Sequence, residues 1–91
     1  MKKILQSGQF KKDFKRYRHK PQMIQALEIV IEYLRNGDKI PATYYPHKLC
    51  GAYEGYMECH IMSDYLLVWI DETQNIVRLM RLGTHSEIFR N

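Results

Sequence analysis

Tyr56-Met57-Glu58-Cys59-His60-Ile61-Met62-Ser63-Asp64-Tyr65-Leu66-Leu67-Val68-Trp69-Ile70 is the stretch from which the fold can be read. Over residues 56–62 the side chains alternate, with Tyr56, Glu58 and His60 on one side and Met57, Cys59 and Ile61 on the other. That period of two predicts a strand with two unlike faces. Ser63-Asp64 marks a tight turn. Residues 65–70 are apolar without interruption, as expected of a central strand covered on both sides. A polar hairpin loop over 71–75 and a last strand over 76–82 complete an antiparallel meander.

Toward the N-terminus the period changes. Residues 3–6 form a short candidate strand, and Ser7 can cap a following helix by accepting a free backbone N–H. Phe10, Phe14 and Tyr17 then recur at helical spacing, with Lys11, Lys12, Lys15, Arg16 and Arg18 on the other faces. Pro21 suits the first turn of a second helix, because its missing N–H would have had no partner there. Met23, Ile24, Leu27, Val30, Ile31 and Leu34 give that helix a broad apolar stripe, and Asn36-Gly37 is a stop signal. The short link around Pro21 makes the two helices an antiparallel hairpin. Residues 38–50, with Pro41 and Pro46, are read as a loop carrying His47 and anchored by Leu49. The expectation is an α+β fold, one domain over 1–91. An N-terminal strand and a helical hairpin pack on one face of a mainly antiparallel four-stranded sheet.

Composition narrows the function. A chain of 91 residues has one modest core, so any site lies at its surface or rim. No apolar run approaches a bilayer span, and Gln6-Ser7-Gly8-Gln9 interrupts the signal-like start Met1-Lys2-Lys3-Ile4-Leu5. A cytoplasmic protein with reduced thiols at Cys50 and Cys59 is expected, with no membrane partner. Residues 1–20 hold eight Lys or Arg against one acid, Asp13, a net +7, whereas residues 21–91 hold six against nine, a net −3. Such asymmetry points to a polyanion partner, its plain alternative being a solvated cationic helix face.

Residues 81–89 close the last strand and place Arg81, His85 and Phe89 near one another. Arg81 offers a planar cation for a phosphate, His85 a proton near neutral pH and Phe89 a flat face for a base. His47, His60 and His85 come from three segments that the meander can gather, and Asp64 follows His60 by one turn. RNA is cut without a metal when a base takes the 2′-hydroxyl proton, a cation stabilises the phosphorane and an acid protonates the 5′ oxygen. The same three histidines and Asp64 are also a conceivable metal set, although no pair has zinc spacing. A third use is purely structural: rim histidines, a turn-capping Asp64 and a C-terminal anchor in Phe89.

His47-Lys-Leu49-Cys-Gly51, Gly55-Tyr56-Met-Glu-Cys-His60, Asp64-Tyr-Leu-Leu67-Val68 and Arg81-Leu-Gly83-Thr84-His85-Ser-Glu-Ile-Phe89, in this order and spacing, resemble the YafQ branch of the RelE-type toxins of bacterial toxin–antitoxin systems. The similarity runs from Phe10-Lys11-Lys12-Asp13 to the C-terminus. It implies a microbial ribonuclease fold and a ribosome-dependent mRNA endonuclease that cleaves A-site codons and inhibits translation without a cofactor. It also implies a cognate antitoxin, and operator DNA reached only through the antitoxin complex. Carried over residue by residue, it marks His47, His60, Asp64 and His85 as the acid–base set, Arg81 as the phosphate contact, and Tyr65 and Phe89 as message-holding aromatics. The basic group Lys11, Lys12, Lys15, Arg16, Arg18 and Lys20 then reads as a grip on ribosomal RNA. Met57 stands where relatives often have arginine, and Tyr65 where some have tryptophan. A non-catalytic ribosome-binding module that blocks translation is the alternative.

Overall fold

The apolar run after Ser63-Asp64 becomes the middle of a sheet because both its faces are covered: Leu66, Leu67, Val68 and Trp69 are all buried. A computed structural model describes residues 1–89, and its elements in chain order are β1 (Lys3–Gln6), α1 (Gly8–Tyr17), α2 (Pro21–Asn36), β2 (His47–Lys48), β3 (Met57–Met62), β4 (Tyr65–Thr73), β5 (Ile76–Thr84) and α3 (His85–Ile88). The strands form one sheet in the order β1-β5-β4-β3-β2. β1 runs parallel to β5, with Lys3 opposite Ile76, and the other pairings are antiparallel.

The α+β layout is as the sequence predicts, with three differences. The sheet has a fifth strand, the two-residue β2, inside the segment read as a loop; two residues are too few to show a period. β4 and β5 run on to Thr73 and Thr84, past their expected ends. Glu72 and Arg78 face each other across this polar extension, Arg78 Nη2 donating to Glu72 Oε1 at 3.3 Å. A short helix, α3, follows β5 directly. Its Thr84–Glu87 capping box satisfies two backbone donors at once.

The main core lies between the helices and one sheet face, where Phe10, Tyr17, Met23, Leu27, Val30 and Leu34 meet Cys59, Ile61, Leu67, Trp69, Val77, Leu79 and Leu82. A smaller cluster on the opposite face joins Leu66 and Val68 to Ile88, with Leu49, Tyr56, Met80 and Phe89 against it. This second cluster draws α3 down onto the sheet. Gly37 ends α2 in the left-handed region, at φ 72°, and its N–H reaches the Leu34 carbonyl at 3.2 Å.

β1 stops at Gln6, opposite Leu79, which would leave the rest of β5 a bare edge. α1 covers it. Ser7 N–H donates to the Leu79 carbonyl at 2.9 Å, Ser7 Oγ donates to the Met80 carbonyl at 3.0 Å, and Asp13 accepts the Leu82 N–H at 2.9 Å. Helix side chains thus take the place of a neighbouring strand. Between Val68 and Trp69 the register slips, so Val68 faces Arg81 while Trp69 faces Leu79. Met80 is the extra residue of a bulge, a device that turns side chains beside it.

Ser7 has two tasks, since its Oγ also accepts the Phe10 N–H at 2.9 Å and so caps α1. Ser7→Ala is expected to cost about 1–2 kcal/mol in urea unfolding. Ser7→Thr, which keeps both bonds, should recover most of that loss.

Candidate active site

The strand register gathers the site. His47 pairs with Glu58, Glu58 with Val68 and Val68 with Arg81, so these four residues form one row across β2, β3, β4 and β5. Three strand spacings separate its ends, roughly 14 Å. In the neighbouring row His60 faces Leu66, which faces Gly83, two residues before His85. Since Leu66 and Val68 belong to the cluster away from the helices, His47, His60 and Arg81 share that outer face. His85 opens α3, whose Ile88 packs on the same face. The Phe89 ring lies 4.9 Å from His85 and 5.1 Å from Tyr53.

His47 is fixed at both nitrogens. Nδ1 lies 2.7 Å from the Tyr45 carbonyl, and Nε2 lies 3.1 Å from Glu58 Oε1. A carbonyl only accepts, so the tautomer that donates from Nδ1 suits the Tyr45 contact, with Nε2 turned to the carboxyl. Glu58 is 4% exposed, and its other oxygen has no hydrogen-bond partner among the described residues. A half-satisfied buried carboxyl is costly. Tyr45 serves both histidines, since its ring meets His60 edge-on at 5.7 Å. Its backbone is held at φ 52°, a strained conformation for a non-glycine residue.

Arg81 sits beyond the bulge, against α1. Its Nε donates to Asp13 Oδ2 at 2.9 Å, with Nη2 3.5 Å from Oδ1, while Gln9 Nε2 donates to Oδ1 at 3.1 Å. Asp13 is 1% exposed. A carboxylate tolerates such burial when both oxygens are hydrogen-bonded and a guanidinium lies against it. Arg81 remains partly exposed and keeps N–H donors for an outside anion.

Glu87 ties α3 to α1. Its Oε1 accepts the Thr84 N–H at 2.9 Å and the Tyr17 hydroxyl, and its Oε2 accepts from Arg16 Nη1 at 3.0 Å. The Thr84 N–H, with the Tyr17 and Arg16 donors, holds the Glu87 carboxyl down at about 2. Burial, together with Glu87, pushes the Tyr17 hydroxyl up to about 12.

Other residues singled out from the sequence lie elsewhere. Asp64 is exposed in the β3–β4 turn. Tyr65 pairs with Thr84 and faces the helices, packing edge-on to Tyr17 at 5.3 Å and receiving Lys20 Nζ at 3.1 Å. Met57 is also on the helix side, so its position supplies nothing to the histidine face. Lys11, Lys12, Lys15, Arg18 and Lys20 are exposed along or just beyond α1. Arg16 differs from them in being tied to Glu87. Cys50 and Cys59 are free thiols, and burial raises Cys59 to about 12. No three His, Cys, Asp or Glu among the described residues converge as a metal site.

Sequence reading missed Glu58, Asp13 and Glu87. A signal existed for each, Glu87 standing three residues after Thr84 at capping-box spacing. Glu58 lies between Tyr56 and His60 on one strand face, and Asp13 lies within the apolar stripe set by Phe10 and Tyr17.

The family model described as a bacterial toxin of type II toxin-antitoxin system, YafQ, matches residues 2–90. The chain is 32% identical over 84 residues to the mRNA interferase toxin YafQ of Escherichia coli K12, covering 91% of this chain and 90% of that protein. Among solved structures, a copper-bound mutant toxin from Helicobacter pylori superposes with a TM-score of 0.89 at 32% identity, covering 98% of this chain and 100% of that one. A chain of the E. coli DinJ-YafQ complex gives 0.84 at 31% identity, covering 98% and 99%.

Two outcomes follow from the carboxylates. Asp13→Ala, which strips Arg81 and the Leu82 N–H of their acceptor, should cost about 3–5 kcal/mol in urea unfolding, and Asp13→Asn less. The Glu87 carboxyl titrates at about 2 when folded against an ordinary 4.5, so on acidification the unfolded chain takes up its proton first. Its stabilising contribution is complete above about pH 4.5 and falls away toward about pH 2. Across that interval wild type should lose more stability than Glu87→Gln. Equal losses would show that the carboxylate is not held this way.

Proposed function

This chain belongs to the YafQ family of bacterial toxins of type II toxin–antitoxin systems, and from that premise we propose how it works as an mRNA interferase. It is an endoribonuclease, and its partner is a cognate antitoxin, as E. coli YafQ is paired with DinJ. The reaction is metal-free cleavage of message in the ribosomal A site, in the cytoplasm. The observation that carries the reading is the placement of His47, His60 and Arg81 on one sheet face with His85 at its margin.

Each group has a task suited to its surroundings. The Arg81 guanidinium, braced from behind by Asp13, donates to the non-bridging oxygens of the scissile phosphate as charge builds on them. His60, whose ring is steered by Tyr45, takes the proton from the 2′-hydroxyl as that oxygen attacks phosphorus. The buried Glu58 carboxyl, about 7 Å along the same strand face, favours the imidazolium that forms. His47 holds Glu58 in place. His85 gives a proton to the departing 5′ oxygen, leaving a 2′,3′-cyclic phosphate and a free 5′-hydroxyl. Phe89, against the His85 ring, offers a stacking surface for a base of the message.

Asp64, exposed in the β3–β4 turn, and Tyr65, on the helix side of the sheet, contribute to holding the toxin and its codon on the ribosome from outside the histidine face. Lys11, Lys12, Lys15 and Arg18 grip ribosomal RNA from the exposed side of α1, which makes binding salt-dependent. Operator DNA is met only in the complex with the antitoxin.

His85→Ala is expected to lower cleavage by about 10²–10⁴-fold, the usual worth of a general acid, while the variant still folds and binds antitoxin. The check is to sequence mRNA 5′ ends after brief expression. Codon-periodic new ends should appear with wild type and vanish with the variant. Arrested translation without new ends from wild type would instead mark a toxin that blocks the ribosome without cutting.

A further inference from the structure

Beside the histidine face, between α1 and α3, lies a cleft of about 640 Å³ lined by Gln9, Arg16, Tyr53, Arg81, Glu87 and Ile88. We propose that this cleft is a second phosphate subsite, in which Arg16 grips the RNA phosphate next to the scissile one while the attached base stacks on Tyr53. The proposal rests on the reading of Arg81 as the scissile-phosphate contact.

Arg81 borders both regions, so a strand held at the cleavage point has its neighbouring linkage within reach of the cleft. The second cation there is unlike the rest of the basic helix. Arg16 is anchored by a 3.0 Å bond from Nη1 to Glu87 and lies beside the Tyr17 hydroxyl, and its side chain is 54% exposed, so several of its five N–H donors face solvent and can take an anion. Its anchor, Glu87, comes from the far end of the described chain and biases the guanidinium toward the cleft it lines. Lys11, Lys12, Lys15 and Arg18 are exposed but line no such cleft.

The acids of the cleft are already engaged. Asp13 is buried behind Arg81 and accepts from Leu82, Gln9 and Arg81. Glu87 accepts from Thr84, Tyr17 and Arg16. Glu87 also lines the cleft, so an incoming phosphate meets the free N–H groups of Arg16 and Arg81 beside one carboxylate that is already bonded to three donors. Tyr53, 38% exposed, continues the aromatic series from His85 and Phe89. Alternating guanidinium and aromatic surfaces suit a single strand, whose phosphates need cations and whose bases need flat faces.

The test uses the purified toxin and a short RNA made uncleavable by a 2′-deoxy sugar at the scissile position, with binding followed by fluorescence anisotropy over a series of salt concentrations. Removing one phosphate contact on a single strand lowers the slope of log K against log salt by about 0.7. With wild type, a neutral methylphosphonate on one side of the scissile linkage should produce that drop, and on the other side should not. Arg16→Ala and Arg16→Gln should show the lowered slope with the all-phosphate strand and no further response to the methylphosphonate. Lys39→Ala, exposed and outside both the cleft and the basic helix, should keep the full response. Wild type indifferent to the methylphosphonate on either side would overturn the proposal, and so would an Arg16 variant that still responds to it. Arg81→Ala separates the two readings. If its slope also matches wild type, the scissile-phosphate assignment fails with the subsite; if its slope drops while the Arg16 variants match wild type, the subsite alone fails.

Discussion

The carboxylate of Asp13 is the constraint on which the rest of the molecule turns. A strand edge left without a neighbour exposes backbone groups that must find partners. β5 loses its neighbour after Leu79, where the site begins. Asp13 accepts the Leu82 N–H and, with the same oxygen, the Arg81 guanidinium. One buried group thereby closes the sheet and sets the cation of the site. Because α1 is held to this edge, its Tyr17 and Arg16 are brought to Glu87. Glu87 in turn fixes the short helix that carries His85 and Phe89. Fold and site share these bonds, so neither can be adjusted alone.

The imidazoles and the guanidinium reach one sheet face by different routes. His47 and His60 come from β2 and β3 and His85 from the start of α3, while Arg81 follows the bulge in β5. The bulge is what permits both. Without the extra residue at Met80, Arg81 would change faces, since one residue of register inverts a strand's side chains. Glu58 is the other unusual member. It lies buried beside His47 with one oxygen unpartnered among the described residues, an expense that a purely structural sheet would avoid by placing an apolar side chain there.

Much of this was legible from the chain alone, and what was not has physical reasons. Met57, Cys59 and Ile61 against Glu58 and His60 displayed their two faces openly, and Pro21 and Gly37 bounded α2. β2 could not be seen, because two residues carry no period. The bulge at Met80 lies within an apolar run in which a slip of register leaves no compositional trace. Tyr65 heads a segment covered on both sides, so nothing in its neighbours says which face it takes; pairing with Thr84 decides that it meets the helices. The meander alone suggested that His47, His60 and His85 could meet, and the resemblance supplied the fold family and their acid–base reading. Asp13 and Glu87 were overlooked: Gln9 and Thr84 lie close by, but the Arg81 and Leu82 partners of Asp13 and the Arg16 and Tyr17 partners of Glu87 lie 68 to 71 residues away, beyond any local pattern.

The parallel pairing of β1 with β5 and the bonds from α1 to α3 join the two ends of the chain. Contacts of such long sequence separation form only after a large loop has closed, and they slow folding relative to local ones. During synthesis, α1 therefore waits with its buried carboxylate unmatched until the last strand has emerged. The residues that Asp13 and Glu87 hold together therefore take their places late in folding, and as one unit.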